Sequence, residues 1–94
     1  MITILSAEEI HTRLESLSGW GVEGQEIVKT YVFPSYLEGI DFVNFVAKQA
    51  ELMNHHPIIV IGWRKVTVRL TTHSAGGITE LDLRLAQTCE SHSF

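Results

Sequence analysis

The sequence has little of what marks several common protein classes. It holds a single cysteine, Cys89, so no disulfide can form within the chain, which favours a reducing compartment such as the cytoplasm. No apolar run approaches the roughly 20 residues that span a bilayer, and residues 1–6 carry no basic side chain of the kind that opens a signal peptide. Its seven lysines and arginines are scattered, and the net charge is −4, so we expect neither nucleic acid nor a membrane as partner.

What the sequence does contain is typical of one globular domain. The 94 residues are 45% hydrophobic and 19% charged, a composition that favours a folded chain over a disordered one. We therefore predict a single domain over residues 1–94. Because a chain of this length buries only about 60–65% of its unfolded surface, association with further copies would be a natural way to bury more.

Three helix starts are marked by capping sequences. At residues 6–9, 35–38 and 79–82 a serine or threonine precedes an acidic residue by three positions, as in a capping box, and apolar residues at helical spacing follow. The second helix should run to about Met53 or Asn54, because Pro57 disfavours helical geometry at the residue before it.

Between these helices the hydrophobic pattern changes to period two. Residues 27–33 and 66–71 alternate as β-strands do, and residues 20–23 can form a short partner strand. The continuous β-branched run 58–61 predicts a strand that is covered on both faces or packs against another subunit. The order α-β-β-α-β-β-α predicts an α+β fold, with a four-stranded antiparallel sheet and three helices on one face.

One motif has the residue spacing of a nucleotide-binding site but not its structural context. Gly19-x-Gly21-x-x-Gly24 has the spacing of the dinucleotide fingerprint, but that motif must follow a strand and open a helix. Here it follows a helix and precedes a strand, so we predict that the glycines serve turns.

The residues with the clearest chemical potential are three histidines. His55 and His56 stand where the second helix ends, and His73 follows an alternating strand. Two carboxylates, Glu51 and Asp82, lie nearby in the sequence. Imidazole is the side chain whose ordinary pKa lets it give and take protons near neutral pH. If the fold brings these groups together, they are sufficient for an acid–base site without a metal or cofactor.

Other interpretations of the same residues remain open. Histidines are common at helix C-termini, and adjacent residues on an extended chain point to opposite sides, so surface or capping roles are reasonable. Asp82 also fits the third position of a capping box. Three histidines with one carboxylate could ligate zinc, although the spacing matches no familiar metal-binding template.

Taken together, these motifs resemble the pterin-4a-carbinolamine dehydratase family. The resemblance covers nearly the whole chain. The segments that carry it are Ala50-Glu51-x-x-Asn54-His55-His56-Pro57, Val66-x-Val68-x-Leu70-x-Thr72-His73 and Gly77-Ile78-Thr79-x-x-Asp82-x-x-Leu85-Ala86.

The resemblance implies a hydro-lyase that converts 4a-hydroxytetrahydropterin into quinonoid dihydropterin, in recycling of the tetrahydrobiopterin type of cofactor, without a metal or redox group. It implies that the catalytic residues are His55, His56 and His73. Supporting or substrate-binding residues would be Glu51 and Asp82, which orient the histidines, with Trp20 and Trp63 as candidates for the walls of the site.

The resemblance also implies the partners. The substrate would be a small pterin, and the assembly a homotetramer built as a dimer of dimers. Some relatives bind a homeodomain transcription factor or assist assembly of Rubisco, so a non-catalytic protein-binding module is the alternative function. A metal-dependent hydrolase is the second alternative.

Overall fold

The structure is a computed structural model that describes residues 2–94, so of the predicted domain only Met1 lies outside the described residues. In chain order the elements are α1 (Ala7–Leu14), β1 (Gly21–Glu23), β2 (Glu26–Val32), α2 (Tyr36–Met53), β3 (Ile58–Ile61), β4 (Lys65–Leu70) and α3 (Glu80–Glu90). The strands form one antiparallel sheet in the order β1-β2-β4-β3. The predicted α+β architecture is confirmed. No helix among residues 2–94 is long and apolar enough to cross a membrane.

Buried and exposed residues alternate along the two central strands, β2 and β4, and this alternation gives the sheet one covered face. The β2 and β4 residues that pair on the covered face are buried: Ile27 and Leu70, for example, are fully inaccessible. On the opposite face Thr30 pairs with Thr67, and their hydroxyl oxygens lie 2.8 Å apart. Helices α2 and α3 add their apolar residues to the covered face. The apolar helix residues with no exposed surface are Phe42, Val46, Leu83, Leu85 and Ala86.

Capping acts as predicted at two of the three helix starts. All three helices begin after the expected hydroxyl residue, and reciprocal capping boxes form at the starts of α1 and α3. At α2 the Ser35 hydroxyl accepts the backbone N–H of Glu38 but donates to the Glu38 carboxylate, so the predicted reciprocal box does not form there.

Helix α1 ends at Leu14, and turns continue the chain from there. Gly19 and Gly24 have φ values of +85° and +60°, a left-handed backbone that favours glycine. Gly19 and Gly24 of the fingerprint-like motif therefore serve the turns around β1, whereas Gly21 is the first residue of the strand itself.

The expectation that residues 58–61 are covered on both faces is wrong for this chain. β3 is an outer strand and, within residues 2–94, pairs only with β4. Ile58, Val60 and Ile61 remain 46–52% exposed, and only Ile59 is half-buried against the core. The reason is geometric, since a chain of this size has no further element to lay over the edge. Packing against another subunit stays a prediction.

The C-terminal residues pack against the core. The Phe94 ring lies 5.6 Å from the rings of Tyr31 and Phe42, and the His92 ring lies 4.8 Å from that of Phe45. Aromatic pairs at these separations contribute beyond simple burial. The ring contacts of His92 and Phe94 therefore hold the short tail against the core.

Candidate active site

The end of α2 sets the positions of the first two histidines. Asn54 caps the helix in the left-handed conformation, with φ 49° and ψ 43°. The backbone N–H groups of Asn54 and His55 still donate to carbonyls of the last helical turn, with His55 bonded to Ala50 at 3.0 Å. Asparagine tolerates this conformation better than other non-glycine residues. The reversal directs His55 towards α3 and leaves His56 at the surface.

This cap leads to a prediction about stability. Asn54→Gly should leave the free energy of unfolding within about 0.5 kcal/mol of the original, because glycine adopts positive φ freely. Asn54→Val should lower it by about 1–2 kcal/mol, because a β-branched residue is strained there. Urea denaturation of the two variants measures the difference. Equal stabilities would mean that the backbone at this position is not left-handed in solution.

His55 forms a buried pair with Asp82. Its Nε2 lies 2.5 Å from Oδ1 of Asp82, and the exposed fractions of the two residues are 8% and 0%. The same carboxylate accepts the backbone N–H of Thr79 through Oδ2 at 2.9 Å. Asp82 therefore performs both roles that the sequence left open, capping α3 and holding a histidine. Since Nε2 is engaged, Nδ1 is the nitrogen of His55 left for another partner.

His56 pairs with Glu51 in a very different environment. Its Nε2 contacts Oε2 of Glu51, and the two side chains are 56% and 76% exposed. Exposed ion pairs of this kind contribute little to stability, typically about 0–1 kcal/mol. The pair can therefore change partners without a large energetic cost, and the imidazole is open to a ligand.

His73 lies in the turn that follows β4. The turn is closed by Thr72, whose N–H donates to the carbonyl of Gly77 at 2.9 Å, and the side chain of His73 is exposed. The neighbouring Thr72 hydroxyl donates to Asp82 at 2.8 Å. His73 is thus one residue from the network that holds His55. The structure brings both histidine segments to the same end of the β3–β4 hairpin, where β3 begins and β4 ends.

The two tryptophans occupy different positions relative to the three histidines. Trp20 is buried in the core, and its indole N–H donates to Glu90 at 3.3 Å, at the opposite end of α3 from Asp82. Trp63 is 74% exposed in the bend between β3 and β4. At about 3.3 Å per strand residue, the stretch from His56 to Trp63 places that bend about 20 Å along the hairpin from the histidines.

A cavity of about 710 Å³ opens beside this end of the fold. It lies between α1, the β1–β2 turn and the loop after His73, which contributes Gly76 and Gly77. Trp20 and His11 also line it, so these two side chains and the His73 loop border the same space. The imidazoles of residues 55, 56 and 73 do not line it.

Two further observations concern competing chemistries. Burial raises the pKa of the Cys89 thiol to about 12, so this cysteine is not a nucleophile at neutral pH. Among residues 2–94, no group of three or more His, Cys, Asp or Glu side chains is arranged to hold a metal ion.

The sequence did not single out two threonines that belong to the site. Thr72 and Thr79 are buried, their hydroxyl oxygens lie 2.8 Å apart, and both contact Asp82. Thr79 had been recognised only as a helix cap. A weak signal was present, because both are polar residues in a stretch of otherwise buried positions, but their convergence depends on the tertiary fold.

Comparison with known proteins identifies the family. The family model described as pterin 4 alpha carbinolamine dehydratase matches residues 3–92. A protein of Roseiflexus sp. (strain RS-1) is 54% identical over 86 residues, 92% of each chain, and one of Sulfurisphaera tokodaii is 46% identical over 83 residues, 88% of this chain and 89% of the other. Both bear the provisional name pterin-4-alpha-carbinolamine dehydratase.

Two solved structures share the fold. A crystal structure of a transcriptional coactivator/pterin dehydratase from Brucella melitensis has a TM-score of 0.90 and 32% identity, and the match covers 95% of this chain and 97% of that one. A pterin dehydratase-like protein, identified as a RuBisCO assembly factor in the alpha-carboxysome, has a TM-score of 0.57 at 22% identity, covering 78% of this chain and 89% of the other, and shows the fold alone. From the family match and the whole-chain similarities, the chain belongs to the pterin-4-alpha-carbinolamine dehydratase family.

Proposed function

We propose that this protein is a 4a-hydroxytetrahydropterin dehydratase that works by histidine acid–base catalysis. The observation that carries the proposal is the buried pair of His55 and Asp82. The hydroxyl of Thr72 donates to the same aspartate, and the next residue in the sequence is the exposed His73. A buried carboxylate holds an imidazole in one orientation through a hydrogen bond, while an exposed imidazole nearby is free to contact a substrate. The two histidines thus differ in environment, one held in place and one exposed.

The reaction needs one proton delivered and one removed. The lone pair of N5 forms the C4a=N5 double bond as the C4a–O bond breaks. An imidazolium protonates the departing hydroxyl, which leaves as water, and a neutral imidazole takes the proton from N5. We assign these transfers to His55 and His73, on opposite sides of the pterin ring. Either histidine can take either role, which allows both isomers of the 4a alcohol to react.

His56 is assigned a binding and orienting role. Its ring and its partner Glu51 are both exposed, so the pair can open towards a ligand at small cost. The polar edge of a pterin offers hydrogen-bond donors and acceptors, and imidazole and carboxylate complement both kinds. Trp20 borders the neighbouring cavity and is kept as a candidate wall, whereas Trp63 would reach a pterin only if another subunit supplied it.

The direct test is an assay with freshly generated 4a-hydroxytetrahydropterin. The purified protein should accelerate its decay by about 10²–10⁴-fold at saturation, the range expected of acid–base help. Prior treatment with EDTA, followed by removal of the chelator, should leave the rate unchanged, because imidazoles alone move the protons. Absorbance of the quinonoid product measures both results.

Two outcomes would contradict this account. A protein that leaves the spontaneous rate unchanged is not a dehydratase under these conditions. Loss of the rate after chelation, with recovery on addition of zinc, would establish the metal-dependent alternative instead.

The assembly expected from the resemblance is a dimer of dimers. Its physical support is apolar surface that the single chain leaves uncovered, on edge strand β3 and at Leu37 and Leu52 of α2, which are 71% and 73% exposed. Sedimentation should therefore give a mass near four times 10.6 kDa. A monomer at micromolar concentration would exclude this assembly. We assign the protein to the cytoplasm, where a lone buried thiol stays reduced.

A protein-binding role is the second candidate. The observation that favours it is the same exposed apolar surface, together with solved relatives described as a coactivator and an assembly factor. Stoichiometric copurification of another protein, combined with no dehydratase rate, would favour this role over the enzyme.

A further inference from the structure

We propose that Thr79 and Thr72 form an ordered hydroxyl chain that positions Asp82 and thereby fixes the neutral His55 ring with its proton on Nε2. Thr72 and Thr79 would thus be positioning residues for the catalytic histidine. The assignment of catalysis to His55 rests on the proposed function, whereas the proton order rests on hydrogen-bond geometry alone.

The direction of each hydrogen bond follows from counting protons. Asp82 occupies the first turn of α3, where the helix dipole favours a negative charge, and an ionised carboxylate only accepts. The Thr72 hydroxyl therefore spends its single proton on Oδ2, at 2.8 Å. The 2.8 Å contact between the two threonines must then be donated by Thr79 to Thr72. The oxygen of Thr79 in turn accepts the N–H of Leu81 at 3.3 Å.

The hydroxyl chain from Thr79 through Thr72 determines which carboxylate oxygen of Asp82 faces His55. Oδ2 receives two donors, the Thr72 hydroxyl and the Thr79 backbone N–H. Rotation of the carboxylate would break both at once, so Oδ1 is held towards Nε2 of His55 at 2.5 Å. Because Oδ1 can only accept, Nε2 must carry a proton. Nδ1 of the neutral ring is therefore a lone pair, available to take a proton from a substrate.

Burial makes the arrangement sensitive to a single hydroxyl. Thr72 is 3% exposed, and Thr79 and Asp82 are fully buried, so water cannot replace a missing donor. Among residues 2–94, no buried side-chain nitrogen or oxygen lacks a hydrogen-bond partner. Thr72→Val keeps the shape of the side chain and removes one of the two donors to Oδ2, leaving the Thr79 backbone N–H as the other.

The protein contains a matched control for the Thr72→Val substitution. Thr30 and Thr67 form a second threonine–threonine hydrogen bond of the same 2.8 Å length, on the exposed face of the sheet. Thr30→Val removes an equivalent hydroxyl away from Asp82. Thr72→Ser keeps the donor with a smaller side chain and should restore what Thr72→Val loses.

The experiment records long-range ¹H–¹⁵N spectra of the full chain with ¹⁵N-labelled histidine, at the neutral end of the His55 titration. His55→Gln identifies the signals. In the original protein His55 should show a protonated-type shift at Nε2 and a lone-pair-type shift at Nδ1. In Thr72→Val the two shifts should move towards each other, because a loosely held imidazole samples both tautomers. Thr72→Ser and Thr30→Val should match the original.

Kinetics provide a second readout. Thr72→Val should lower kcat by about tenfold to a hundredfold, the equivalent of one hydrogen bond to a charged group, and change KM by no more than about twofold. Thr72→Ser should recover most of the loss. A purely structural threonine would lower thermal stability without changing the ratio of the two tautomers.

The results separate the inference from the proposed function. A protonated Nδ1 in the original protein would overturn the proton order, whether or not any variant folds. Unchanged His55 shifts in a folded Thr72→Val protein would overturn the role of the hydroxyl chain. If the original protein has the predicted tautomer but no dehydratase rate, the proton order stands and the proposed function fails.

Discussion

Asp82→Asn should lower kcat by about 10²–10⁴-fold, the range seen when an imidazole is held in the wrong tautomer. The backbone N–H of Thr79 and the hydroxyl of Thr72 both require an acceptor at the Oδ2 position. The amide oxygen must therefore take that place, and the amide NH₂ then faces Nε2 of His55. To accept from that NH₂, Nε2 must give up its proton, which moves to Nδ1. The ring is then unable to act as a base towards the substrate.

The same substitution should cost stability. An amide retains the shape of the carboxylate but loses the charge that the helix N-terminus and the histidine favour, and we expect the free energy of unfolding to fall by about 1–3 kcal/mol. Asp41→Asn, which changes an exposed carboxylate on α2, is the matched control and should alter neither quantity. Urea denaturation and steady-state kinetics measure the two effects. An Asp82→Asn protein with full activity would remove the buried pair from the mechanism.

His73→Ala should separate activity from stability. The side chain is exposed in a turn closed by backbone hydrogen bonds of Thr72 and Gly77, so the free energy of unfolding should change by less than about 0.5 kcal/mol. If His73 moves one of the two protons, kcat should fall by about 10²–10³-fold. Asp82→Asn should behave differently, because it should lower both kcat and the free energy of unfolding.

The control for His73→Ala is His92→Ala. His92 lies beyond the C-terminal end of α3, at the end opposite Asp82, and no role is assigned to it. Its removal should leave kcat unchanged and accounts for any general effect of losing a histidine. A His73→Ala protein with the original kcat would show that protons pass through another group, and a water held by His56 would be the next candidate to test.

The sequence was informative where structure depends on local interactions. Capping at Ser6, Ser35 and Thr79 requires only residues within one helical turn, so the helix starts were predictable. The period-two pattern likewise predicted β2 and β4, because alternation follows directly from one covered face. The histidine segments were recognisable because residue type alone limits the chemistry they can perform.

Features that depend on distant parts of the chain were not predictable in the same way. The exposure of Ile58 and Val60 follows from the place of β3 at the edge of the sheet, which strand periodicity does not specify. The hydroxyl chain from Thr79 through Thr72 to Asp82 joins a helix start to the end of a strand. Trp63 illustrates the converse, since an aromatic residue near the histidines in sequence lies at the far end of the hairpin.

The central claim is that three imidazoles act on one pterin, and a titration with 7,8-dihydrobiopterin, a stable relative of the product, tests it most directly. The ring signals of His55, His56 and His73 are followed by NMR in the ¹⁵N-histidine-labelled protein, with His92, which packs against Phe45 beyond the C-terminal end of α3, as internal reference. We predict that all three shift along a single binding isotherm while His92 remains in place. Binding that leaves the three rings unmoved, or that moves only one of them, would contradict the account.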